Sequence, residues 1–191
     1  PVNSLGAAGV AIASAAVKGV RALPFSTIRA ASPGLNPLKR GKPVRLTRSQ
    51  FQYAFTNTLT QEASDSLYDR YHVPSAGKVL REYALTSFRR NPATKVDFHR
   101  ADRAPLLFVA FADDHLMPPK VLRHNAKRYD TTTSITQYVE FSARPHFPAV
   151  PGWEEVADHA LNWAIDTLAK TKSDVTSQPT ASDRHIAYAT P

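Results

Sequence analysis

Leu106-Leu107-Phe108-Val109-Ala110-Phe111 is six apolar residues in a row, ended at once by Ala112-Asp113-Asp114-His115. A run this short with no polar member suits a strand covered on both faces, the condition of a parallel sheet, and parallel strands require crossover connections, usually helical. A second run, Tyr138-Val139-Glu140-Phe141, is followed by His146. An acid and then a base therefore each stand just past an expected strand, where the loops of a parallel sheet gather at its carboxyl edge.

The residues around these two runs agree with a strand, helix, strand, helix order. Pro119 is placed to start a helix through Tyr129, with Val121, Leu122 and Ala126 as its apolar members, and 136–141 alternates as a strand. The last helix carries Trp153, Val156, Ala157, Ala160, Leu161, Ala164, Ile165 and Leu168, one apolar stripe at helical spacing. From 171 to 191 the Ser, Thr and Pro content with little apolar material reads as a flexible tail.

The first hundred residues read differently. Ala8-Gly9-Val10-Ala11-Ile12-Ala13 fits a buried parallel strand. Ala13-Ser14-Ala15 has the spacing of a signal cleavage site, but no cationic stretch precedes it and the chain opens on Pro1, so the strand reading is preferred and a cytoplasmic protein is expected. Residues 14–46 read as a connection with short helical pieces, broken by Pro24, Pro33, Pro37 and Pro43. Thr47-Arg48-Ser49-Gln50 is a capping-box pattern opening a helix with Phe51, Ala54 and Phe55. Thr60 can cap the next helix, with Leu67 and Tyr71, and a further helix is expected over 78–88. Helices without strands between them, set between two strand-like runs, suggest an inserted cap. The expected organisation is a sheet strand in 1–17, a helical cap over 18–100, the main sheet and its helices over 101–170, and a tail over 171–191.

A chain of 191 residues, 42% hydrophobic, can bury one substantial core. It has no Cys, which excludes disulfides, thiolate metal sites and a cysteine nucleophile. The His and carboxylates show no tight ligand spacing, so no metal or other cofactor is expected. No apolar stretch approaches the ~20 residues that span a bilayer. Residues 1–61 hold eight Lys or Arg and no Asp or Glu, so the whole net charge of +8 arises there. Such a surface attracts anions, but Lys39-Arg40-Gly41-Lys42-Pro43 lacks interleaved aromatics for stacking bases. A solvated surface with acidic neighbours elsewhere is the preferred reading, and no nucleic-acid partner is expected.

Several segments together resemble the cap and carboxyl-terminal half of an α/β-hydrolase family protein. They are Val17-Lys18-Gly19-Val20, Leu46-Thr47-Arg48-Ser49-Gln50-Phe51, Arg103-Ala104-Pro105-Leu106-Leu107, Asp113-Asp114-His115 with Pro118-Pro119, Glu140-Phe141 to His146, and Gly152-Trp153-Glu154-Glu155-Val156-Ala157. The resemblance implies a parallel sheet wrapped by helices with a helical cap over the site. It places the acid of a nucleophile, His, Asp triad on Asp114 and the base on His146. Asp113 is then a solvated neighbour, and His115 a packing or loop-bonding residue. The activity implied is that of an esterase-like or lipase-like hydrolase acting on a small ester-like molecule; dehalogenases, epoxide hydrolases and haloperoxidase-like proteins also belong to the family.

The family's nucleophile elbow, G-x-S-x-G, is absent from these residues. Ser4 has Gly6 two residues after it but Val2 two before, and only three residues separate it from the expected first strand. The half that carries the elbow is therefore expected to be truncated, deleted or on another segment. A strand near Ala8 to Ala13 would then leave a sheet edge open to self-association. The alternative reading is a non-catalytic binding protein derived from a hydrolase.

Overall fold

The computed structural model describes residues 6–17, 24–35, 42–78, 96–129 and 133–176. Its centre is the apolar run, which forms strand β4 (Leu106–Phe111) between β1 (Gly9–Ile12) and β5 (Thr136–Phe141). Both pairings are parallel, in register Gly9 with Leu106 through Ile12 with Val109, and Leu106 with Thr136 through Phe111 with Phe141. The molecule is thus mixed α/β, with a three-stranded parallel sheet flanked by helices. The expected helices on the two sides are α4 (Pro119–Tyr129) and α5 (Trp153–Thr176).

Alternation along β4 divides its side chains between two layers. Leu107, Val109 and Phe111 pack with Val156 and Trp163 of α5, while Ala110 packs with Val121 and Leu122 of α4 on the opposite face. Residues 107–111 are all buried, so the apolar continuity of the run reflects cover on both sides. Each large side chain buried in this way is worth roughly 1.5–3 kcal/mol. Arg103 braces the sheet at its amino end: its guanidinium donates to the carbonyls of Ala104, Tyr129, Ser134 and Ile135 and to the Thr136 hydroxyl. Buried Asn125 of α4 fixes the chain leaving β1, accepting from the Val17 N–H at 3.2 Å and donating to the Ala15 carbonyl at 2.9 Å.

The region between β1 and β4 contains α1 (Phe25–Leu35), β2 (Pro43–Val44), α2 (Arg48–Phe55), α3 (Gln61–Tyr71) and β3 (Ser75–Ala76). Thr47 and Gln50 form the reciprocal capping box at α2, and Thr60 caps α3 through the Ala63 N–H. A buried hydroxyl pair, Thr56 with Ser64 at 2.6 Å, ties the end of α2 to α3.

Five expectations are corrected. Helix α1 runs through Pro33 where a break was expected; the Arg29 carbonyl, which an N–H at position 33 would have taken, accepts instead from the Ser32 hydroxyl at 2.8 Å. The cap region is not free of strands, because β2 and β3 pair antiparallel across two residues. Strand β1 is not covered on both faces: Val10 and Ile12 are 39% and 41% exposed. On α5 the buried stripe is Val156, Trp163 and Thr167, whereas Trp153, Leu161 and Ile165 are exposed. Helix α5 also continues to Thr176, past the expected start of the tail. The expected helix over 78–88 lies almost entirely outside the described residues, as do Ser4 and positions 177–191. No helix among the described residues is long and apolar enough to cross a membrane.

Candidate active site

At the carboxyl end of β4 the chain turns sharply, with the Asp114 N–H donating to the Phe111 carbonyl at 3.2 Å. Two more backbone bonds tie this turn to the end of β5: Ala112 N–H to the Phe141 carbonyl at 2.9 Å, and Asp113 N–H to the Arg144 carbonyl at 3.1 Å. The side chain of Asp114 is fully buried inside the turn. Its Oδ1 accepts from the N–H groups of Leu116 and Met117, each at 2.7 Å. Its Oδ2 faces the other way and meets His146 Nδ1 at 2.7 Å. The two oxygens of one carboxylate are therefore divided between the turn backbone and the imidazole.

Three donors on one buried carboxylate compensate its removal from water, and bonds of this charge-assisted kind are about twice as strong as neutral ones. An ionised carboxylate only accepts, so opposite one Nδ1 is the donor, and a neutral ring bonded in that way has Nε2 as its acceptor. The His146 side chain is 19% exposed. It is reached from α2 by the ring of Phe55, edge-on with centroids 5.3 Å apart.

The loop that presents His146 is held on both sides. Ala143 takes φ 54°, and Pro145 is buried. The Arg144 guanidinium, 9% exposed as a residue, donates to the Gly152 carbonyl at 2.7 Å and to Glu155 at 2.8 Å. Gly152 suits the turn through its φ of +81°, and a Cβ there would come within 3.1 Å of that guanidinium, which would have to give by a few tenths of an ångström. On the far side of the loop, the Phe147 N–H donates to the Phe55 carbonyl at 2.9 Å.

Of the acidic pair, Asp113 is exposed and contributes only backbone groups to the turn. His115 packs on Tyr53 with centroids 4.5 Å apart, and its Nδ1 lies 2.9 Å from the Tyr53 carbonyl. Asp114 and His146, 32 positions apart, are thus brought together, and Asp113 and His115 stand outside their contact. Phe55, Asn57 and Arg144, which support the pair, had no signal in local spacing because their partners are distant in the chain.

At the same end of the sheet β1 is followed by Ala13, at φ 45°, and by Ser14, whose Oγ is buried with no hydrogen-bond partner among the described residues. No hydrogen bond joins this hydroxyl to His146. Among the described residues no three His, Asp or Glu converge to hold a metal ion. The basic first third is partly answered by later carboxylates: Arg48 meets Asp69 at 2.6 Å and Asp65 at 3.7 Å, while Arg29 stacks 4.0 Å over Tyr53. No protein-family model matches the chain, and no curated protein matches it either.

Proposed function

We propose that this chain carries the acid and the base of an α/β-hydrolase-type, esterase-like hydrolase. Asp114 orients the ring, and His146 serves as general base toward a nucleophile borne on a further strand. The reading rests on the 2.7 Å contact between a buried carboxylate and an imidazole at the carboxyl ends of adjacent parallel strands. A hydroxyl within ~3 Å of Nε2 would pass its proton to His146 as it attacked a small ester-like substrate. Asp114 would stabilise the imidazolium, which then returns the proton to the leaving alkoxide; water repeats the cycle on the acyl intermediate. Strands β1, β4 and β5 are read as the carboxyl-terminal part of the hydrolase sheet, with 18–100 as its cap and no cofactor.

The place for a nucleophile strand is the edge of β1 that no strand among the described residues occupies. Val10 and Ile12 share the α5 face of the sheet with their register partners Leu107 and Val109, yet remain uncovered. A helix packed beside α5 at 8–10 Å would lie about two strand spacings from β4, over a strand added to β1. One strand-and-helix unit would therefore bring a helix over exposed Val10 and Ile12. Without a nucleophile and oxyanion donors, turnover by this mechanism falls by a factor on the order of 10⁶.

Labelling with a serine-directed phosphonate tests the reading. The chain alone should stay unlabelled; supplied with a strand-turn-helix segment bearing G-x-S-x-G, the complex should label, and His146→Ala should abolish it. Absence of labelling in the complex, or labelling of the chain alone that survives His146→Ala, contradicts the proposal.

A second reading, a non-catalytic interaction protein, is favoured by the same uncharged face. In isolation β1 is expected to pair antiparallel with β1 of a second copy, making a six-stranded sheet. This reading predicts a complex that forms but never labels.

A further inference from the structure

The last turn of α2 and the residue pair after it touch both loops of the Asp114–His146 pair, and they do so in a closed circuit. The Asn57 side-chain amide donates to the Asp113 carbonyl at 3.0 Å. The Asp113 N–H donates to the Arg144 carbonyl at 3.1 Å, three residues along the chain the Phe147 N–H donates to the Phe55 carbonyl at 2.9 Å, and Phe55 leads back to Asn57. Asp114 and His146 are the residues enclosed: one follows Asp113, the other lies between Arg144 and Phe147.

We infer that Asn57 is the positioning residue that closes this ring and thereby holds the acid and base loops at their contact distance. The inference rests on the dyad reading above, adding to it a coupling between cap and chemistry. Two links of the ring are backbone to backbone and survive any side-chain change; the third is the Asn57 amide. Its orientation is set, because turning the amide over would put Oδ1 against the Asp113 carbonyl, two acceptors face to face. Oδ1 itself is buried with no partner among the described residues, so the amide is held for its donor. Helix α2 is anchored in turn by its capping box and by the Thr56–Ser64 pair, so the ring is tied to the body of the cap. A cap built this way sets the dyad geometry as well as covering it.

The test is Asn57→Asp, which keeps the shape and loses the donor. In the ¹⁵N-labelled chain, the His146 Nδ1 proton, assigned by its loss in His146→Gln, is followed for exchange with water alongside the β4 amides. The expected result is a protected Nδ1 proton in the parent chain and exchange about tenfold faster in Asn57→Asp, with β4 amides unchanged. Unchanged exchange in the variant overturns the positioning role while leaving the dyad intact. Equal acceleration of the β4 amides overturns it too, since the effect is then global. An unprotected Nδ1 proton in the parent chain removes the dyad itself, and with it the proposed function.

Discussion

The two edges of the sheet meet solvent in opposite ways. Along β5, Glu140 accepts from Arg123 at 2.7 Å and from the Tyr138 hydroxyl at 2.6 Å, and Arg123 also stacks over Tyr138 at 5.4 Å. Charged and tethered side chains of this kind keep an edge strand from pairing with another chain. Along β1 there is no charged residue at all, and its two largest side chains are about two-fifths exposed. On α5, His159 lies against Phe141 of β5, whereas Leu161 and Ile165, each roughly 160° round the helix from buried Trp163, point away from the sheet and are 59% and 55% exposed. One side of the sheet is finished for water, and the other is shaped for cover. The open side is also where the proposed nucleophile strand would join.

The largest contrast lies within α5. Trp163→Ala on the buried stripe should cost about 3–5 kcal/mol, whereas Leu161→Ala on the outer face should stay within about 0.5 kcal/mol, both by urea denaturation. Equal losses would mean that the outer face of α5 is covered in solution and would break the comparison as drawn for a single chain. At the edges, Val10→Lys with Ile12→Lys should turn a self-associated chain into a monomer by light scattering, and Gln137→Lys on β5 should leave its mass unchanged. A parent chain that is monomeric at high concentration, or an association that survives the double substitution, would remove the β1 edge as a contact surface. Glu140→Gln should cost about 1 kcal/mol or less, since its partner Arg123 is largely exposed.

The smallest effect is the pH response of the guarded edge. Burial, and next the hydrogen bond given to Glu140, push the Tyr138 phenol above the ordinary tyrosine value. The neutral phenol is therefore favoured in the folded chain. Its contribution to stability is complete below the unfolded value of ~10 and declines as pH rises through the higher folded value. Tyr138→Phe should flatten the alkaline limb of a stability profile. An unaltered limb would show that another group governs it.

What could be read from the residues follows the range of the interactions. The bounds of β4 and β5, the start of α4 and α5, and the caps at Thr47 and Thr60 depend on neighbours within a few positions, and the apolar runs and cap residues reveal them. The meeting of Asp114 and His146 was legible as a pair of loop residues at strand ends, because parallel strands bring such loops to one edge. The rest depends on distant partners. Whether α5 buries Trp163 or Leu161 is decided by its roll over Leu107, Val109 and Phe111, and periodicity alone leaves that phase free across so broad a stripe. Pro33 sits inside α1 because a serine one residue earlier satisfies the orphaned carbonyl. Asn57 reaches Asp113 across 56 positions, and nothing in the local pattern marks it.

The central claim is that Asp114 holds His146 in the tautomer a general base requires. The ¹⁵N chemical shifts of the His146 ring at neutral pH test it most directly. A protonated Nδ1 with a bare Nε2, lost on Asp114→Asn, is the result this structure predicts. A ring protonated on Nε2 alone, or one indifferent to Asp114→Asn, would contradict it.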